Sequence, residues 1–258
     1  MISEKLEAFF QVNNKICIGN NSALKKNKPC LFRYGVEQNI LKSFIGCIAY
    51  IYKIHQLKPN EPAPRIEEMI NILVDNISLD KYIKYQNGSL ISTFKSNVKT
   101  SVDIESYNKT DFYKLTYKKN LDFLKETIVS YENFLAYLKD PSAYIDHTFL
   151  WDMLCEKNSS LIPTGMNMVL LNDDINKPSI ELICPSNPYS ENVFDENLKT
   201  FFIIKQGDFY EPICMYEVTK TELKIQSTFK YNDKMMKNIL KTIKTKLEEF
   251  CQPKQSIV

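Results

Sequence analysis

SFIGCIAYIYKIH, residues 43–55, is apolar almost all the way round a helical projection. A helix with hydrophobic side chains in every direction has no solvent face and belongs inside a fold. The stretch therefore predicts a buried central helix, with Ser43 as its N-cap. Downstream, PNEPAP breaks the chain, Pro64 sits where a first helical turn accepts proline, and Ile66, Met69, Ile70, Leu73, Val74 and Ile77 recur at helical spacing. A short helix from Ser78 and a turn at Asn87-Gly88 come next. Residues 120–139 then place Leu121, Leu124, Ile128, Tyr131, Leu135 and Leu138 on one stripe that Pro141 ends. Asp146 or Thr148 is placed to cap a further short helix over FLWDMLCE, residues 149–156.

Beyond this point the chain changes character. MNMVLL (166–171), SIELIC (179–184), TFFIIK (200–205), EPICMYEV (211–218) and ELKIQSTF (222–229) are short runs separated by polar breaks, which predicts strands. A mainly antiparallel or mixed sheet of about five strands is expected from typical sheet sizes. A final helix over residues 233–252 carries Met235, Met236, Ile239, Leu240, Ile243, Leu247 and Phe250 on its apolar face. Helices first and strands after define an α+β chain with a helical first half, a sheet in the second half and a C-terminal helix. Residues 1–30, rich in polar turn formers, read as an irregular exposed arm, and 31–258 as a single α+β domain.

A composition of 44% hydrophobic and 25% charged residues over 258 positions supports a folded core. Net charge is +2, so no broad electrostatic footprint for nucleic acid or an anionic membrane exists, and any such binding must be local. The N-terminal residues lack a basic segment followed by a long apolar run, and the longest apolar stretch, residues 44–52, is too short for a bilayer. The seven scattered cysteines read as reduced core thiols. These features predict a protein that is neither secreted nor membrane-bound.

Motifs for the commoner chemistries are missing. There is no CxxC pair, no HExxH and no glycine-rich phosphate loop, so no metal and no cofactor are expected. Thiol catalysis needs a cysteine and a histidine within reach of each other. The candidates are Cys47, Cys155 and His147, yet local spacing sets no nucleophile beside His147, which lies at i, i+4 from Trp151 and reads as structural. Lys234, Lys237, Lys241 and Lys244 on the last helix offer phosphate contacts. They are diluted by Asp233, Glu248 and Glu249, which favours a solvated face.

Three stretches carry a resemblance: FRYGVEQNILKSFIGCIAYIY (32–52), YIDHTFLWDMLCEKNSSLIPTGMNMVLL (144–171), and IELICPSNPYS with TFFIIKQGDFYEPICMYE (180–190, 200–217). They resemble a family of large, mostly uncharacterised proteins of nucleocytoplasmic large DNA viruses, the giant viruses. That resemblance implies the host cytoplasm, the viral factory or the virion as the place of action. At the level of fold the chain also resembles papain-like cysteine proteases of the ovarian-tumour type. Their nucleophile opens a buried helix in an Asp-Gly-x-Cys-x-Phe pattern, and their base is the His of a late strand reading Asn-His-Tyr-Glu-Pro. Here Lys42-Ser43-Phe44-Ile45 opens the helix, and Gly207-Asp208-Phe209-Tyr210-Glu211-Pro212 stands at the late strand. The resemblance thus puts Ser43 in the nucleophile's place and Phe209 in the base's, and a phenyl ring cannot take a proton.

The reading that follows is a catalytically inactive binding or scaffold module. Its partner, a viral or host protein or peptide, would meet a groove formed by Ser43, Phe44, Phe209, Tyr210 and Glu211. Two alternatives stand beside it. One is an active, deubiquitinase-like cysteine hydrolase using Cys47 or Cys155 with His147. The other is a nucleic-acid-associated subunit of the viral transcription apparatus, binding through the lysines of the last helix.

Overall fold

The computed structural model describes residues 2–19, 21, 23–96, 102–157, 161–186 and 193–251. Helix α2 (Ser43–Gln56) runs through the interior as its composition predicts, with every residue from Ser43 to Ile51 buried. Burying Phe44, Ile45, Ile48 and Ile51 stabilises by roughly 1.5–3 kcal/mol each. Ser43 is not the N-cap. Lys42 holds that position without a side-chain cap bond and sends its ammonium to the Asp140 carbonyl at 2.7 Å, while the Ser43 hydroxyl is used elsewhere.

The remaining helices of the first half are α3 (Ile66–Asn76), α4 (Leu79–Tyr82), α5 (Ser89–Thr93), α6 (Asp111–Thr116), α7 (Leu121–Lys139) and α8 (Trp151–Cys155). Pro64 lies just outside α3, whose N-cap is Arg65. Ser78 caps α4 as expected, and Asn120 caps α7 by accepting from the Phe123 amide at 3.0 Å. Asp146 does not cap α8. It closes a local turn by accepting from the Thr148 amide at 2.8 Å, and Leu150 occupies the cap position. The turn at 87–88 has the left-handed backbone that its Asn-Gly sequence favours, with φ of 54° and 82°.

The sheet has seven strands among the described residues, β1 (Cys30–Arg33), β2 (Asn167–Asn172), β3 (Glu181–Ile183), β4 (Thr200–Gln206), β5 (Phe209–Val218), β6 (Leu223–Gln226) and β7 (Thr228–Phe229). Five form a continuous order β1-β5-β4-β2-β3. Only the β2–β4 pair is parallel, so the sheet is mixed. The two strands off this path come from the last run, ELKIQSTF, which bends at Ser227, while β1 matches none of the five predicted runs. β6 lies along β5, and β7 crosses to pair with Thr200 and Phe201 of β4.

Both faces of the sheet are covered, which explains why β2 and β4 are buried along most of their length instead of alternating. Phe201, Ile203, Tyr210 and Cys214 face the helical layer built on α2, α3 and α7. Phe202, Ile204 and Ile213 face a second core formed with α9 (Lys237–Phe250) and α1 (Glu4–Phe10). Helix α1 corrects the expectation of an irregular arm. Ser3 caps it, Leu6 and Phe10 are buried, and the Phe10 ring meets Phe202 edge-on at 5.2 Å. On α9, Met236, Ile239, Leu240, Ile243 and Leu247 are buried, whereas Met235 and Phe250, expected on the same face, are exposed.

The cysteines also depart from expectation. Cys17 is bonded to Cys30 and Cys184 to Cys251, which leaves Cys47, Cys155 and Cys214 free. The second bond ties the end of α9 to the segment just after β3. No helix among the described residues is long and apolar enough to cross a membrane.

Candidate functional site

The start of α2 meets the turn between β4 and β5. The Ser43 hydroxyl donates to the Asp208 carbonyl at 2.8 Å and accepts from the Tyr210 amide at 3.1 Å. Its one proton and an acceptor site are both committed to the backbone, so it acts as a clasp between the helix and the hairpin.

Phe209 does not face Ser43 from within a cleft. It begins β5 and is 44% exposed, because strand side chains alternate and its neighbour Tyr210 takes the inward position. Tyr210 packs edge-on against Phe44 at 5.3 Å, and its hydroxyl lies 3.1 Å from Nδ1 of His147. His147 in turn stands against Trp151, with ring centroids 6.1 Å apart. Burial holds the His147 pKa below its ordinary value. Asp146 opposes that shift, and Lys205 adds to it. The groove expected from Ser43, Phe44, Phe209, Tyr210 and Glu211 is therefore a filled aromatic junction. Phe44 and Tyr210 are core residues, and Glu211 pairs with Arg33 at 3.3 Å.

The free thiols are placed for packing. Cys47 is fully buried, and its pKa is pushed well above the usual thiol range by burial, with Glu211 and Cys214 adding to it. Cys155 is driven up by burial and by Asp152. Among the described residues neither thiol hydrogen-bonds to His147, whose ring is directed at Tyr210. Deprotonation, the step that makes a cysteine nucleophilic, is opposed at both positions. No group of three or more metal-ligating side chains occurs among the described residues.

The lysines of the last helix separate into two kinds. Lys234, Lys237 and Lys241 are exposed, while Lys244 is drawn into pairs with Glu196 at 2.6 Å and Glu248 at 3.5 Å.

A more open site lies at the other end of α2. Strand β5 is paired by β4 up to Ile213 and by β1 over Ile213–Tyr216, so these two partners flank opposite edges. Past Ile213, β6 takes over the edge that β4 has left, pairing Val218 to Met215 with Leu223 to Gln226. Between β6 and the last turn of α2 is a groove of about 850 Å³. One wall is Lys53, Ile54, Leu57, Lys58 and Pro59; the other is Glu217 and the unbroken run from Glu222 to Thr228.

Its floor is a buried polar cluster beside stacked aromatics. The Tyr50 hydroxyl lies 2.6 Å from Ser227 Oγ and 3.6 Å from Cys214 Sγ, and the Tyr34 and Tyr50 rings stack at 4.0 Å. Burial, with the Cys214 thiol adding to it, raises the Tyr50 pKa, so the phenol stays protonated and this floor is neutral. Ile54, Leu223 and Ile225 are 38%, 52% and 44% exposed and bring apolar surface to the opening. A second cavity of about 300 Å³ shares Tyr34, Tyr50 and Lys53 and continues the groove towards Pro62–Arg65.

None of the sequence candidates lies in this groove. The available signal is the ELKIQSTF run, which predicts a strand and carries the groove's exposed Leu223 and Ile225. No known protein family matches the chain, and no curated protein matches it.

Proposed function

We propose that the chain is a non-catalytic protein-binding or scaffold module of a giant-virus protein, built on a scaffold similar to the ovarian-tumour-type proteases, which presents the groove between α2 and β6 to its partner. The observation that carries this reading is the groove itself: a volume of about 850 Å³ with exposed apolar side chains on both walls. Exposed apolar side chains gathered in a concavity and rimmed by polar ones mark a surface that a partner covers.

The absence of chemistry is supported separately. Ser43 is committed to the backbone, Phe209 faces outward and the free thiols are held protonated by burial. Two experiments test the reading. A ubiquitin-based covalent probe is expected to leave the protein unlabelled, and labelling abolished by Cys47→Ala or Cys155→Ala would overturn it. Selection of displayed peptides against the immobilised protein is expected to enrich sequences whose binding is lost in Ile225→Arg. Enrichment of none that depend on this position would remove the groove as the binding site.

A further inference from the structure

We infer that the groove takes an extended peptide, which adds to the sheet as a strand along β6 and points acidic side chains at Lys53 and Lys58. The inference rests on the binding-module reading and gives its ligand a chemical class.

The geometry of the lining carries the first half. Successive side chains of a strand point to opposite faces, so a sheet face gives a cavity only every second residue. Here all four residues of β6, from Leu223 to Gln226, line the groove. A strand does this when it presents its edge, so that main chain as well as side chains meet the opening. One edge of β6 is occupied by β5, and among the described residues no main-chain hydrogen bond reaches the other. An open edge is a row of unpaired donors and acceptors that an extended chain satisfies by pairing. The devices that usually blunt such an edge are weak here. The strand has no proline and no bulge, and its single charge, Lys224, leans on Glu222 at 3.8 Å.

The opposite wall carries the second half. A strand laid beside β6 would turn alternate side chains towards the end of α2, where they meet Lys53, Ile54 and Lys58. No ion pair engages either lysine among the described residues, and Ile54 lies between them in sequence with 38% of its surface exposed. The carboxylates of the site, Glu217 and Glu222, stand on the strand side. The fitting ligand therefore alternates, with acid, apolar residue and acid at every second position on the side facing the helix. Both lysines gain a charge-assisted partner only from such a chain.

The test uses the full chain and a fluorescein-labelled peptide, Thr-Glu-Thr-Val-Thr-Glu-Thr with blocked ends, read by polarisation. Binding is expected to weaken at least tenfold when alternate peptide amides are N-methylated, and at least tenfold in the Lys53→Glu/Lys58→Glu protein. A peptide with Lys in place of both Glu is expected to prefer that charge-reversed protein, a result that also shows the variant is folded. No binding, or binding indifferent to N-methylation, overturns strand addition. Equal binding of the acidic and basic peptides overturns the charge assignment. Failure here is separable from failure of the module reading. Display selections that enrich only basic or helical peptides, still lost in Ile225→Arg, overturn this ligand class and keep the groove.

Discussion

Replacing Ser43 with alanine tests whether that hydroxyl is a structural clasp or a vestigial nucleophile. The change removes one oxygen that serves two backbone groups, the Asp208 carbonyl and the Tyr210 amide. Asp208 lies in an exposed turn, where water replaces the lost donor. Tyr210 is 1% exposed, and its amide is left buried without its partner. A net hydrogen bond contributes about 1 kcal/mol, and an orphaned buried donor costs about 1–3 kcal/mol. With water offsetting much of the loss at Asp208, these put the Ser43→Ala penalty at roughly 1–4 kcal/mol. Urea unfolding followed by fluorescence of the single tryptophan, Trp151, reads this as a lower midpoint at unchanged slope. Phe209→Ala is the paired control, expected within about 0.5 kcal/mol of the parent because the ring is substantially exposed. A Ser43→Ala penalty below about 0.5 kcal/mol, or a Phe209→Ala penalty that exceeds it, would refute the argument.

Other outcomes follow from the same structure. The Cys184–Cys251 bond closes a loop with a sequence separation of 67, for which chain entropy gives about 4 kcal/mol; Cys251→Ser is expected to lower stability by up to that amount and to reduce the sensitivity to reductant to what the Cys17–Cys30 bond still supplies. A parent protein whose unfolding midpoint is the same with and without dithiothreitol contradicts this. His55 and His147 both have pKa values held below the unfolded value of about 6.5 by burial, so the unfolded chain takes up protons first as pH falls. Stability is then full above about pH 6.5 and declines below it, and unfolding curves at neutral and mildly acidic pH should show a shallower decline in His147→Gln. A Cβ at Gly46 would sit 2.3 Å from the Glu37 carbonyl oxygen, so Gly46→Ala is expected to cost about 1–3 kcal/mol despite its better helix propensity, as measured by thermal unfolding.

The parts of the fold that the sequence disclosed are those written in local periodicity. The apolar run from Ser43 to Ile51, the stripe of Leu124, Ile128, Tyr131 and Leu138, and the runs that form β2 and β4 bury what their spacing says they bury, whereas Ile54, Leu121 and the Leu223 and Ile225 of the last strand run are exposed. Helix α1 was equally legible, since Ser3, Leu6 and Phe10 form a cap followed by an i, i+4 apolar pair, but the polar residues after it drew the reading towards an arm. The candidate site failed for a different reason. A strand's period is two, so placing Phe209 at a catalytic position assumed a facing that a shift of one residue reverses, and the chain gives the inner position to Tyr210. The disulfide partners 67 residues apart, and an edge left open when β4 gives way to β6, are products of topology; no local pattern encodes either.

The sheet divides the molecule into two interiors. Phe201 and Ile203 belong to one, Phe202 and Ile204 to the other, and they alternate along a single strand. The groove opens on the side of α2, whereas α1 and α9 close the far side. Repacking beneath α9 therefore reaches the groove through the backbone of β4 and β5 and through Met215, which packs on the far interior and lines the groove. Such a partition lets the far side, Met215 apart, drift in sequence or be redesigned as an attachment point without rewriting what the groove recognises.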